Sequence, residues 1–167
     1  MVDKKIYTGL GIMFILLLIV ALVLLFGGRG NKKTDINLYY VNPTEFTLKK
    51  RIITVEGEGN LKIALNSLFK GIDDPTVENL FPKDVKFNSS KEDKENDVLI
   101  IDISANVLKV NYGLEVNYLY LMSIVHTASD ITGYENIQLI FDGKEVQFFN
   151  NGLFLGEPLK IDDSVVK

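Results

Sequence analysis

A run of 21 residues without a charge, Ile6 to Phe26 (IYTGLGIMFILLLIVALVLLF), constrains this chain more than any other feature. At about 1.5 Å per residue, a helix of that length spans roughly 30 Å, the thickness of a bilayer's hydrocarbon core. The run is apolar on every face, unlike a helix that covers one side of a soluble core. A cleaved signal peptide has a shorter apolar region, about 7–15 residues, closed by a small-x-small site. Here the run is longer and Gly28-Arg29-Gly30 follows it. The expectation is an uncleaved transmembrane helix over 6–26. A short N-terminal tail covers 1–5, a polar tether 27–34 (GGRGNKKT), one domain 35–162 and a C-terminal tail 163–167.

Charge divides near the same place. Lys4, Lys5, Arg29, Lys32 and Lys33 against Asp3 give residues 1–33 a net +4, so the rest of a chain of net −4 carries −8. An acidic domain repels nucleic acid and anionic lipid, so no nucleic-acid partner is expected. The chain has no cysteine. Disulfides, thiolate metal sites, cysteine nucleophiles and cysteine-linked lipids are therefore excluded, and core packing must stabilise the domain. Basic residues flank the apolar run almost equally, so the positive-inside rule leaves its orientation open.

Past the tether, Ile36–Val41 and Leu48–Val55 read as strands separated by Asn42-Pro43. Leu61, Ala64, Leu65, Leu68 and Phe69 form one apolar stripe, which predicts a helix over Leu61–Lys70 with Asn60 and Gly71 as its caps. Val85–Asn88 and Val98–Ile103 read as strands around a charged loop, Lys91–Asp97. A second helix is expected from about Gly113 to Ile131, its buried stripe running through Leu114, Tyr118, Leu121, Met122, Val125 and Ser129. Asp142-Gly143 marks a hairpin turn between strands Ile137–Phe141 and Glu145–Phe149. The order is ββαββαββ, which predicts an α+β domain with two helices packed on one face of a mainly antiparallel sheet.

Several groups invite a chemical reading. Ser123, His126 and Asp130 share a face of the second helix, but mid-helix N–H groups are already bonded and cannot form an oxyanion hole. A polar, solvated helix face is the expectation, and no catalytic residue is assigned. Glu92, Asp93, Glu95 and Asp97 lack the spacing of a calcium loop and read as a solvated turn, so no metal or cofactor is expected. Asp102 interrupts an apolar strand. A structural role is expected, with Asp102 accepting backbone N–H groups where the strand exits and Ser104 capping the next turn. Lys49-Lys50-Arg51 is the one basic run and reads as solvated charge. Alternation in EVQFF puts Val146 and Phe148 on one face and Phe149 on the other, and Phe149 with Phe154 is the candidate interaction patch.

Six segments in order resemble the GerMN domain, a sporulation and spore-germination module. These are Leu38-Tyr39-Tyr40, Ala64 through Gly71, Leu80 through Val85, Ile101-Asp102-Ile103-Ser104, Ile137 through Gly143, and Gly156-Glu157-Pro158-Leu159. The usual proline after the helix-closing glycine is Ile72 here. The lipidation cysteine of many members is absent, as is a second tandem copy. The resemblance implies a non-enzymatic scaffold or assembly module with protein partners in the cell envelope. It also implies a cytoplasmic N-terminus and an extracytoplasmic domain. A small-ligand-binding domain and, behind it, a peptidoglycan-acting enzyme are the alternatives. The ligand reading predicts a cavity between helices and sheet.

Overall fold

The computed structural model describes residues 13–21, 32–150 and 152–167. The chain divides into two compact units, Met1–Lys33 and Thr34–Lys167. In the first, residues 13–21 form a helix (α1) whose side chains are exposed. The rest of the 6–26 run lies outside the described residues, as do the tail 1–5 and most of the tether. Among the described residues no helix is long and apolar enough to cross a membrane.

The second unit is α+β. Strands β1 (Lys33–Asn42) and β2 (Thr47–Glu56) form a two-stranded sheet of their own. Asn42 shapes the connection: its side-chain oxygen accepts from the N–H groups of Thr44 and Glu45, both at 3.0 Å. Helix α2 (Leu61–Lys70) has the bounds its periodicity predicts. Asn60 accepts from the Ile63 N–H at its start, and Gly71 ends it at φ 80°. A Cβ on Gly71 would sit 2.0 Å from Asn79 Nδ2, so both backbone angle and space require glycine there.

Strands β3 (Phe87–Asp93) and β4 (Val98–Ile103) are followed by a 3-10 turn, Ala105–Lys109, then helix α3 (Leu114–Thr132) and β5 (Asn136–Phe141). β3 continues into the charged segment expected to be loop, because Asp93 and Asn96 close a tighter turn: Asp93 Oδ1 accepts from the Asn96 N–H at 3.2 Å. The last elements are β6 (Phe148–Phe149), β7 (Leu153–Phe154), β8 (Leu159–Lys160) and a 3-10 turn, Asp163–Val165. The larger sheet has the order β3-β4-β5-β8. Its β3–β4 and β5–β8 pairs are antiparallel. β4 and β5 are parallel because α3 serves as the crossover between them.

Two further expectations need correction. The turn at Asp142-Gly143 forms, with positive φ at both residues and a bridge between Phe141 and Lys144. The hairpin then stops: β6 pairs with β7, while β8 pairs with β5. Phe149 is drawn into the core against Tyr120, which pulls the chain away from β5. The second correction concerns α3. It is buried without a break from Leu119 to Ala128, including Ser123, His126 and Thr127, whereas Leu114 is exposed. The cause is that α3 meets β5 of the larger sheet and also the β1–β2 pair, where the Tyr39 N–H donates to Thr127 Oγ1 at 3.1 Å.

Candidate functional site

Both faces of the β6–β7 ribbon are aromatic, and they differ in cover. Phe148 pairs with Phe154, and Phe149 with Leu153. Phe149 points inward, 1% exposed, with its ring stacked on Tyr120 at 5.9 Å between centroids. Phe148 and Phe154 point outward, 56% and 48% exposed, with centroids 5.5 Å apart. The surface pair is therefore Phe148 and Phe154. Phe149, expected in an interaction patch with Phe154, is core, because a two-residue ribbon alternates sides and only one side meets Tyr120.

The ribbon is tied to the start of α3. Asn150 Nδ2 donates to the Val110 carbonyl, and Leu114 lies against the loop at Gly152, where a Cβ would be 3.3 Å from Leu114 Cδ1. Leu114 and Tyr112 are also exposed, so this end of α3 presents apolar surface. β1 enters the unit near the other end of α3, where Asn37 Nδ2 donates to Asp130 at 3.0 Å. Leu114 and Asp130 are separated by about 24 Å of helix rise.

A second feature lies on the uncovered face of the larger sheet. Leu99, Ile101, Ile103, Ile137, Leu139 and Phe141 fill the core face. On the opposite face a concavity of about 340 Å³ has Ile100 and Ile140 as its floor and Lys91, Asp102, Gln138 and Glu145 around it. Asp102 Oδ1 accepts from the Gly143 N–H at 3.1 Å, the strand-exit contact expected of it, and from Asn88 Nδ2 at 3.4 Å. Ser104 Oγ reaches across to the Lys86 N–H at 2.9 Å and makes no side-chain cap of the following turn. Asp142 caps that turn, its Oδ2 accepting from the Ala105 N–H at 3.1 Å. The concavity is not between helices and sheet, where a ligand cavity was expected. Apolar residues at alternate positions on both faces of VLIIDI were the sequence signal for it.

The polar residues of α3 do not converge. Ser123 Oγ donates to its own helix at Tyr120 O, 2.7 Å away. His126 Nε2 faces the backbone of Asp162, 3.1 Å from its oxygen, and its ring lies 5.3 Å from that of Tyr39. Asp130 accepts from the Tyr39 hydroxyl at 2.8 Å. The expected solvated face is instead a set of tertiary contacts. Burial, then the hydrogen bond to Asp162, pushes Tyr118 up to about 12. Asp162 is held below the usual carboxylate range by the Ser164 hydroxyl and then by Tyr118.

The basic run is also paired. Lys49 meets Glu45 at 3.0 Å, Lys50 is 3.9 Å from Asp130, and Arg51 Nε is 2.6 Å from Asp74. Asp74 is lowered to about 2 by hydrogen bonds from Thr76 and then from Arg51. Among the described residues no group of three or more histidines, aspartates and glutamates is arranged to hold a metal ion.

Residues 37–147 match the Germane family, described as sporulation and spore germination. The tandem GerMN domains of the sporulation protein GerM from Bacillus subtilis superpose with a TM-score of 0.62 at 20% identity, covering 81% of this chain and 48% of that one. The chain thus spans about half the length of that tandem structure. The first GerMN domain of the same protein gives 0.53 at 20% identity, covering 77% and 96%. A putative lipoprotein from Clostridium perfringens gives 0.52 at 21% identity, covering 80% and 90%. No curated protein matches.

Proposed function

Since the chain belongs to the Germane family of sporulation and spore-germination proteins, we propose that it is a non-enzymatic assembly module held at the cell membrane. Its GerMN domain lies on the outer side and docks protein partners through the Phe148–Phe154 surface. The carrying observation is that exposed pair. Two phenylalanines stand side by side on solvent while their ribbon is fixed from behind by Phe149 and at its loop by Asn150. A rigid, aromatic, apolar surface is what protein interfaces use as an anchor.

The anchor reading rests on the uncharged run 6–26, whose described residues 13–21 are all apolar, helical and exposed. A helix of that composition is stable where lipid covers it. Without a cysteine to carry a lipid, the helix is the means of attachment. The non-enzymatic reading is supported by the contacts of Ser123, His126 and Asp130, each of which goes to a different structural partner.

The test is crosslinking from the domain surface in sporulating cells. Wild-type chain is expected to capture a defined partner, and the Phe148→Ser, Phe154→Ser double variant to lose it while remaining folded. Retained capture removes this surface from the proposal. Protease treatment of wall-stripped cells checks orientation: degradation of the domain is expected, and protection reverses it. A second reading, binding of a small envelope ligand, is favoured by the concavity over Ile100 and Ile140.

A further inference from the structure

The uncovered sheet face carries an inference beyond the assembly role, and it deepens the ligand reading on which it rests. A parallel strand pair ordinarily has both faces covered. Here α2 and α3 cover one face of the sheet, and the other leaves Ile100 and Ile140 partly exposed. The register places Ile100 beside Gln138, and Asp102 beside Ile140, so the two isoleucines are diagonal neighbours. From strand spacing and rise they are about 8 Å apart, a small apolar floor.

The charges around the floor are separated by sign. Asp102 and Glu145 stand at the end where β4 exits and the 142–143 turn rises. Lys91 stands on β3 opposite Ile100, two positions back along β4 from Asp102. Among the described residues, Lys91 and Glu145 make no ion pair within 4.0 Å. One oxygen of Asp102 is fixed by the Gly143 N–H and the Asn88 amide, and no hydrogen bond within the described residues uses its Oδ2. The acidic end is thus partly preorganised.

We propose that this concavity binds a short zwitterionic peptide. The ligand ammonium is held by Glu145 and Asp102 Oδ2, its carboxylate by Lys91, and its body lies on Ile100 and Ile140. The size agrees. From Lys91 on β3 to Asp102 on β4, one strand spacing across and two residues along, is about 8 Å between backbones, and an extended tripeptide spans about 10 Å. The volume of about 340 Å³ is in the range of small-ligand sites. An anionic polymer is disfavoured by the two carboxylates.

The test uses the full chain in detergent, labelled at isoleucine methyl groups, titrated with trialanine at neutral pH. Saturable shifts are expected at Ile100 and Ile140. N-acetyl-trialanine and trialanine amide should each bind about tenfold more weakly, since each lacks one charge, a change of roughly 1.4 kcal/mol. Glu145→Gln should weaken trialanine by a similar factor, and in Lys91→Met the amide should bind as well as the free acid. Both positions are exposed, so unchanged shifts of the buried isoleucines will report an intact fold. No saturable shift at Ile100 and Ile140 overturns the proposal. So does equal binding of all three peptides, which would mean apolar adsorption alone. The Phe148→Ser, Phe154→Ser variant should bind trialanine normally, so the outcome here is separate from that of the docking surface.

Discussion

Along β4, Leu99, Ile101 and Ile103 alternate with Val98, Ile100 and Asp102, and the two sets meet different surroundings. The first set is buried in the core; Ile100 and Asp102 line the outer concavity. The β6–β7 ribbon repeats the division, with Phe149 against Tyr120 and Phe148 on solvent. Residues of the same type thus have different roles one position apart. The difference is cover: α3 and its neighbours lie on one side, whereas on the other Ile100 and Ile140 stay partly exposed and Phe148 and Phe154 meet solvent. An uncovered apolar side chain contributes little to folding and remains available for binding.

Substitutions can break this comparison or sharpen it. The largest effect is expected for Phe149→Ala, a loss of about 3–5 kcal/mol in denaturant unfolding, because a buried ring leaves a cavity beside Tyr120. A loss under about 1 kcal/mol would mean that the ribbon is not part of the core. His126→Ala should cost about 2 kcal/mol, since it strips the Asp162 backbone of a buried partner on the second side of α3. Ile100→Ala should cost about 1 kcal/mol or less, in contrast to at least about 2 kcal/mol for Ile101→Ala next to it. Phe148→Ser should change stability by no more than about 0.5 kcal/mol.

The smallest effect is confined to acid. Asp74 titrates at about 2 in the fold against an ordinary value of 3.8. A depressed carboxylate stabilises the fold above the unfolded pKa and loses that contribution as pH falls from about 4 towards 2. Asp74→Asn should therefore show a shallower fall in stability over that window than wild type, measured by denaturant midpoints at each pH. Identical pH profiles would show that the Thr76 and Arg51 contacts do not persist in solution.

Much of the fold was legible. The i, i+3, i+4 spacing and the Asn60 and Gly71 caps place α2 at Leu61–Lys70, and the Asp142-Gly143 turn forms where the dipeptide stands. These signals act over a few residues and need no distant partner. The candidate surface was legible only in part. Alternation in EVQFF separates Phe148 from Phe149 but does not say which faces Tyr120, 28 or more positions back in the chain. Asp102 was readable as a strand-end acceptor, whereas Ser104 was not readable as a bond across to Lys86, because that partner depends on the β3–β4 register. Among the elements missed, β7 and β8 are two residues each and carry no period.

By itself the sequence determined an acidic α+β domain behind a long uncharged apolar run, the Asn60 and Gly71 caps of α2, the Asp142-Gly143 turn, and the absence of cysteine chemistry. Tertiary structure decided which of two alternating apolar sets is covered. It also decided that α3 is enclosed on both sides and that β6 leaves β5 for β7. The reason is physical. Capping and turn formation depend on nearby backbone angles, whereas burial depends on contacts such as that between Tyr39 and Thr127, 88 residues apart. No local pattern encodes such contacts, and they exist only once the chain has closed on itself.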